Sequence, residues 1–126
     1  MLDPKSVPLS PAIAAGDFLF LSGQIAFGPD GAMAGDDIAS QTHQVFRNIQ
    51  AVLATHGATL ENVVNATVYL TDPEDFAAFN TVYADYFPGT PPARTTVIAG
   101  LLAGARVELT VIARQSSKDT ASGPGM

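Results

Sequence analysis

Residues 63–87, VVNATVYLTDPEDFAAFNTVYADYF, contain the signals of a strand, a helix start and a helix in direct succession. The first part alternates apolar and polar side chains with period two, which predicts a half-buried strand. Asp72 before Pro73 is typical of a helix N-terminus, with Asp75 at the N3 position much as in a capping box. The helix then continues until Pro88 ends it. Its aromatic-rich stripe, which we expect in the core, consists of Phe76, Phe79, Val82, Tyr83 and Tyr86.

Outward from this segment, the same two periodicities predict the rest of the domain. The additional elements are strands at residues 18–25, around Met33, at 94–99 and at 105–114, and a helix from Asp36 or Asp37 to Gly57. We expect the last two strands to form a hairpin around Leu101. The order of elements favours an α+β domain with a mixed sheet and two helices on one face.

The predicted sheet has one apolar face under the helices and one face without a cover. The apolar face comprises Val64, Ala66, Val68, Leu70, Val107, Leu109, Val111 and Ala113. The opposite face comprises Asn65, Thr67, Tyr69, Thr71, Arg106, Glu108, Thr110, Ile112 and Arg114. This composition is more typical of a protein interface than of open solvent, where lysine and glutamate dominate. An ordinary solvated face is the alternative.

Composition limits the classes of protein that the chain can form. Its 126 residues fit one domain, which we place at residues 1–115, followed by a disordered tail at residues 116–126. Charged residues make up 14% of the chain, less than the usual share of about a quarter, which indicates an oligomer. A net charge of −6 with six scattered basic residues argues against a nucleic-acid partner. Without cysteine there is no thiolate site, and we expect a cytoplasmic protein without a membrane segment.

Arg94 is the candidate functional residue, because it stands among prolines and β-forming residues in PPARTTVIAG. The nearest acids along the chain are Asp85 and Glu108. In the predicted hairpin, Arg94 lies opposite Glu108 on the uncovered face. The pair is either a cross-strand salt bridge or a site for a small carboxylate, which a guanidinium binds through two parallel hydrogen bonds. In the second case Glu108 polarises a water molecule.

The remaining titratable groups suggest no competing site. His43 and His56 lie at opposite ends of one predicted helix, too far apart to share a metal ion. Asp72, Glu74 and Asp75 fit the N-terminus of a helix, where negative charge is favourable. We therefore expect neither a metal ion nor a cofactor.

Four stretches, AGDFLFLSGQI, VVNATVYLTDPEDFAAFNTVYADYF, PPARTTV and VELTVIA, resemble the RidA/YjgF family of small enamine/imine deaminases in their order and spacing. The resemblance covers about residues 7–114. It implies a chorismate-mutase-like α+β subunit and a homotrimer whose sheets close a central barrel. It also implies sites in the clefts between neighbouring subunits, with no cofactor.

The family motifs imply roles for residues of this chain. The arginine that grips the substrate carboxylate corresponds to Arg94, and the glutamate that activates or only orients water corresponds to Glu108. The asparagine after the DF motif corresponds to Asn80, and the SGQ motif brings Ser22 and Gly23 to the pocket. Hydrolysis of a 2-imino acid to a 2-keto acid and ammonia then needs orientation, a positioned water molecule and proton transfer.

Two positions depart from the family pattern. Thr96 replaces a cysteine that is common two residues after the arginine, which keeps a polar hydroxyl without thiol chemistry. Leu9 stands where many members carry a tyrosine. Leu9 therefore lines the substrate pocket without a phenol. It either shifts the substrate toward a more apolar side chain or marks a subgroup without the usual deaminase activity.

Three functions compete at this point. The first is hydrolysis of 2-imino acids or their enamine tautomers, of the 2-iminobutyrate/2-iminopropanoate type. The second is a pathway-specific hydrolase of the same family that acts on another unstable imine. The third is a non-catalytic, chaperone-like trimer that binds a small acid. The endoribonuclease activity of some relatives fits the acidic charge poorly, since single-stranded nucleic acid needs a basic groove with aromatic side chains.

Overall fold

The structure, a computed structural model, describes residues 7–115. The predicted disordered tail lies outside the described residues. The elements in chain order are β1 (Ala12–Ala15), β2 (Phe18–Leu21), α1 (Ile38–Ala54), β3 (Val63–Leu70), α2 (Phe76–Tyr86), β4 (Ala93–Ile98) and β5 (Val107–Arg114). Within residues 7–115, no helix combines the length and the hydropathy that crossing a membrane requires. The predicted α+β class is confirmed.

The five strands form one mixed sheet in the order β1-β2-β5-β3-β4. β4 pairs with β3 in parallel, with Arg94 beside Ala66, whereas β5 lies antiparallel between β2 and β3. The predicted hairpin of β4 and β5 is therefore wrong. The crossover through α2 returns β4 parallel to β3, so the chain must pass the end of β3 to reach β5. At that crossing the backbone N–H of Ala99 donates to the carbonyl of Leu70 (3.0 Å).

The N-terminal part of the sheet contains a strand that the sequence analysis did not predict. β1 pairs with β2 across a tight turn in which Gly16 has a φ of 59°, a conformation that favours glycine. β2 ends at Leu21, earlier than predicted, and Gln24 rejoins the sheet through a single bridge to Leu109. Met33 likewise forms a single bridge instead of a short strand.

Side-chain caps determine where the helices begin. Asp37 accepts a hydrogen bond from the backbone N–H of Ser40 (2.7 Å) at the start of α1, and hydrogen bonding from Ser40 lowers the pKa of Asp37. α1 ends before Gly57, which lies in the following turn with a φ of 71°. Asp72 accepts from the backbone N–H of Glu74 (2.9 Å) in the 3-10 turn that leads into α2. Both predicted N-terminal caps are confirmed.

Asp75 does not complete a capping box, contrary to the prediction. Its carboxylate is buried and accepts from Nε and Nη2 of Arg106, both at 3.1 Å. This carboxylate raises the pKa of Arg106. The backbone N–H of Arg106 donates to Oε1 of Gln41 in α1 (2.8 Å). Arg106, which directly precedes β5, is therefore bonded both to α1 and to the 3-10 turn before α2.

The core lies between the two helices and one face of the sheet, as predicted. Val64 is an exception at 39% exposed, because a bulge between Val63 and Asn65 shifts the alternation. Phe76 is 47% exposed and so does not belong to the predicted core stripe. The fully buried large side chains include Leu19, Val45, Phe46, Ile49, Leu53, Val68, Leu70, Phe79, Val107, Leu109 and Val111.

No helix among the described residues covers the opposite face of the sheet, which we call the uncovered face. The alternation of β3 and β5 places Thr67, Tyr69, Glu108 and Thr110 on it, as predicted. The strand register adds the exposed apolar side chains of Ile13, Phe18, Phe20 and Val97. An exposed surface of mixed apolar and neutral polar side chains is typical of an interface.

Candidate functional site

Arg94 lies on β4 with its side chain on the helix side of the sheet, since its register partner, Ala66, belongs to the core face. Its Nε donates to Oγ1 of Thr96 (2.9 Å), which lies two residues along the same strand face. Its Nη2 donates to Oδ1 of Asn80 on α2 (2.7 Å). These two hydrogen bonds fix the plane of the guanidinium.

Three aromatic rings of α2 surround the same guanidinium. Cζ of Arg94 lies 4.6 Å from the ring centroid of Tyr83, 5.3 Å from that of Phe79 and 5.7 Å from that of Phe76. Such contacts favour the cation by about 0.5–2 kcal/mol. The Tyr83 hydroxyl is buried without a hydrogen-bond partner among the described residues. Burial raises the pKa of Tyr83, although the positive charge of Arg94 acts to lower it. The phenol therefore stays neutral at neutral pH.

Arg94 has no carboxylate partner within residues 7–115, where the one ion pair joins Arg106 to Asp75. A guanidinium has five N–H bonds; Thr96 and Asn80 accept from two of them, which leaves three. The open cavity beside them has a volume of about 590 Å³ and is lined by Pro73, Phe76, Arg94, Thr96 and Ile98. A fixed cation with free donors in an open cavity suits a planar anion such as a carboxylate.

Glu108 lies on β5 and faces the uncovered side, opposite Tyr69 of β3. Its carboxylate rests against the backbone of Gly23, so closely that a Cβ at residue 23 would collide with Oε2 and lie 3.0 Å from Oγ1 of Thr110. The cavity beside it measures about 310 Å³ and is lined by Val7, Leu9, Ser22, Gly23, Gln24, Ile25, Phe27, Leu102 and Glu108. Glycine at residue 23 therefore makes room for the carboxylate.

Hydrogen bonds hold the SGQ turn against the fold. The Ser22 hydroxyl donates to the carbonyl of Ser10 (2.6 Å), and the Ser22 backbone N–H donates to the carbonyl of Pro11 (2.9 Å). The backbone of Gln24 exchanges hydrogen bonds with Leu109 at 2.9 and 3.1 Å. The segment that limits the position of Glu108 is thus fixed on both sides of Gly23.

The structure separates the two predicted site residues that the sequence analysis had placed opposite each other. Arg94 projects from the helix side of the sheet and Glu108 from the uncovered face. The predicted cross-strand pairing, and with it the salt bridge, is wrong because β4 pairs with β3 instead of β5. Thr96 and Asn80 lie with Arg94, whereas the SGQ turn and Leu9 lie with Glu108. We call these two groups the arginine half-site and the glutamate half-site.

The two histidines belong to neither half-site. His43 Nδ1 lies 2.8 Å from the hydroxyl of Tyr86, which attaches α1 to α2. His56 is exposed after the end of α1. Among residues 7–115, no group of three or more His, Cys, Asp or Glu side chains is placed to hold a metal ion.

Comparison with known proteins shows where this chain belongs. The model of the family described as Endoribonuclease L-PSP matches residues 3–115. The chain is a member of this family. A RutC family protein of Saccharolobus solfataricus is 44% identical over 116 residues, which cover 90% of this chain and 92% of that protein. Reactive Intermediate Deaminase A, chloroplastic, of Arabidopsis thaliana is 39% identical over 108 residues, covering 84% and 58%.

Solved structures of the L-PSP family show the same fold. Yeast Mmf1 superposes with a TM-score of 0.85 at 36% identity, over 88% of this chain and 90% of that one. RidA from the Antarctic bacterium Psychrobacter superposes with a TM-score of 0.81 at 34% identity, over 86% and 89%. The resemblance to the RidA/YjgF family is therefore confirmed.

Several residues around the two half-sites of this L-PSP family member were not predicted as site residues from the sequence. Phe76 and Tyr83 flank Asn80 on α2 and contact Arg94. Their spacing of four and three residues from Asn80 places all three on one side of a helix, so the helical period alone identifies them once Asn80 is chosen. Leu102 borders the glutamate half-site from the segment between β4 and β5, and no periodic signal predicts that.

Proposed function

We propose that this protein hydrolyses 2-imino acids, or their enamine tautomers, to 2-keto acids and ammonia, as a deaminase of the 2-iminobutyrate/2-iminopropanoate type. The observation that carries the proposal is Arg94, which is held by hydrogen bonds and aromatic rings yet lacks a carboxylate partner among residues 7–115. The names of two relatives, Reactive Intermediate Deaminase A and RidA, support this kind of reaction.

In this proposal the active unit is a homotrimer. One chain cannot bring Arg94 and Glu108 to the same small substrate, because they project from opposite faces of its sheet. A neighbouring subunit supplies the missing part, so that the arginine half-site of one chain meets the glutamate half-site of the next. The apolar side chains on the uncovered face supply area for this contact. Rotational symmetry lets three copies close into a ring with identical contacts.

Substrate binding begins with the carboxylate. Its two oxygens accept from the free N–H groups of Arg94, and the double hydrogen bond fixes the carboxylate plane. Thr96 and Asn80 keep the guanidinium from rotating. The imine carbon next to the carboxylate is then presented to the glutamate half-site of the neighbour.

Hydrolysis needs a positioned water molecule and a group that carries protons. Glu108 both orients the water molecule and carries the protons. It accepts a proton from water as the water oxygen bonds to the carbon of the protonated imine. It then delivers that proton to the nitrogen of the tetrahedral intermediate. The hydroxyl returns a proton to Glu108 as the carbonyl forms, the carbon–nitrogen bond breaks, and ammonia leaves with the electron pair. Positioning and proton transfer are effects that side chains alone can supply.

Partners and location complete the proposal. The net charge of −6 disfavours nucleic acid as substrate, although the family description names an endoribonuclease. We place the reaction in the cytoplasm, while one relative, the yeast protein MMF1, is named as mitochondrial. A hydrolase for another imine and a non-catalytic acid-binding trimer are alternative outcomes of the tests below.

A direct test supplies the imine in the assay. A D-amino-acid oxidase with catalase generates 2-imino acids, and ammonia release is followed with and without the protein. We expect the protein to accelerate ammonia release above the spontaneous rate. If ammonia release is unchanged while calorimetry detects binding of a 2-keto acid, the protein is the non-catalytic trimer. If neither is observed, the proposed function is wrong.

Light scattering tests the assembly. We expect a particle of about three times the 13.1 kDa chain mass, because the uncovered face exposes apolar side chains and the half-sites are separate. A monodisperse monomer at micromolar concentration would contradict a site shared between subunits.

Gly23→Ala tests whether Glu108 must lie where the structure places it. The added methyl group collides with the end of the Glu108 side chain, which can move without unfolding the protein. We expect kcat/KM to fall about tenfold or more, since small misplacements of a reacting group are costly, with little change in melting temperature. Gly89→Ala is the matched control, because a Cβ there meets nothing within 4 Å. Unchanged kcat/KM in Gly23→Ala would show that the carboxylate acts from another position.

A further inference from the structure

Two strongly exposed leucines border the glutamate half-site. Leu102 is 66% exposed and Leu9 is 60% exposed, the largest fractions among the exposed large apolar side chains of the described residues. Both line the cavity of about 310 Å³ beside Glu108. Val7, Ile25 and Phe27 continue this apolar lining. One wall of the cavity is thus formed by exposed apolar side chains, which an apolar ligand group could cover.

Few polar groups of this wall are available to a ligand. The Ser22 hydroxyl donates inward to Ser10, and the backbone of Gln24 is paired with Leu109. The side chains of Glu108 and Gln24 remain, and the reaction uses Glu108. A polar substituent entering this cavity would lose water and find few partners, whereas an apolar one would gain burial.

The three substituents of the imine carbon therefore have different places. The carboxylate goes to Arg94, and the nitrogen lies within reach of Glu108, which delivers a proton to it after water attacks the carbon. The remaining substituent is the side chain of the parent amino acid. On the arginine side its neighbours are the exposed apolar side chains of Phe76 and Ile98. On the glutamate side its neighbours are Leu9 and Leu102.

We infer that the preferred substrates are 2-imino acids with a long apolar side chain, such as those that form from leucine or methionine, over the small one that forms from alanine. This inference rests on the proposed function and names the substrate class of the same site. Each buried methylene is worth about a fourfold change in equilibrium or rate. The leucine-derived imine carries three carbons more than the alanine-derived one, so partial burial gives about tenfold or more in kcat/KM.

The test compares two imines in one assay. A D-amino-acid oxidase supplies both, from D-leucine and from D-alanine, because the imine carbon is not stereogenic. The expected result is a ratio of kcat/KM, leucine-derived over alanine-derived, of about ten or more. A ratio near or below one, with both imines hydrolysed, overturns the inference and leaves the proposed function intact. The ratio does not depend on the amount of folded protein.

A variant pair locates the preference in this cavity. Leu102→Asn replaces the side chain by a polar one of similar shape and is expected to lower the ratio at least about fourfold, the value of one methylene. Leu102→Met keeps an apolar side chain of similar volume and is expected to keep the ratio. An unchanged ratio in Leu102→Asn would overturn the assignment of the side chain to this wall.

Binding measurements separate failure of the inference from failure of the proposed function. Calorimetry with 4-methyl-2-oxopentanoate and pyruvate, the keto acids that match the two imines, needs no turnover. We expect the first to bind about tenfold or more tightly. If no imine is hydrolysed but this binding preference is found, the deaminase function fails and the apolar cavity stands. Equal binding of both keto acids overturns the inference.

Discussion

Arg94→Lys is expected to lower kcat/KM by about a hundredfold or more without changing the particle mass in solution. Lysine keeps the positive charge but presents one ammonium group in place of the planar fork that Asn80 and Thr96 hold in position. The carboxylate would then be bound at one point and free to rotate away from the neighbouring Glu108. Arg94→Ala removes the charge as well and should be more impaired.

Two comparisons make the Arg94 result specific. Arg47→Lys is the same chemical change on the exposed side of α1, where the hydrogen bonds of Arg47 within residues 7–115 go to the side chain of Gln44 on its own helix (3.3 and 3.4 Å). It should leave kcat/KM unchanged. Melting temperature and particle mass are measured on the same preparations, because Arg94 also packs against the ring of Tyr83. Full turnover per folded chain in Arg94→Ala would end the enzymatic interpretation.

Glu108→Gln is expected to reduce kcat by about 10²-fold to 10⁴-fold, the usual contribution of a general acid or base. The amide keeps the shape of the side chain beside Gly23 but cannot accept and return the proton. Binding of a non-reacting 2-keto acid should persist, since Arg94 lies on the other half-site. This division between kcat and binding is what a purely structural role would not produce.

Glu61→Gln is the matched control for the charge change. Glu61 is exposed in the 3-10 turn before β3, and its substitution should affect neither kcat nor binding. If Glu108→Gln keeps most of its kcat, Glu108 only orients water. If it also loses keto-acid binding, Glu108 contributes to substrate affinity instead of proton transfer.

The elements of the fold were predictable where the signal is local. The alternation of β3, the caps at Asp37 and Asp72 and the end of α2 before Pro88 all follow from side chains within a few residues of each other. Phe76 shows the limit of local signals. Helical spacing identifies an apolar stripe on α2 but does not show which of its side chains the sheet covers. Val64 shows it as well, since a bulge is a property of the paired strands.

The strand order was not predictable from local signals. The segment between β4 and β5 is short enough for a hairpin, and only the parallel pairing of β4 with β3 excludes one. That pairing depends on how α2 packs, which is a contact distant in sequence. The site residues were therefore found individually from motifs, but their predicted arrangement was wrong. The predicted hairpin gave β4 the wrong partner strand and so placed Arg94 on the same face of the sheet as Glu108.

The placement of Arg94 and Glu108 on opposite faces of one sheet has a genetic consequence. If each site takes its arginine from one subunit and its glutamate from the next, two different loss-of-function alleles can complement each other. In a random equal mixture of Arg94→Ala and Glu108→Gln chains, about a quarter of the sites would join an intact arginine to an intact glutamate. Conversely, a single defective chain in a mixed ring impairs sites on both of its sides when it carries both changes. In that arrangement, the activity of a mixed ring depends on pairs of neighbouring chains and not on single ones.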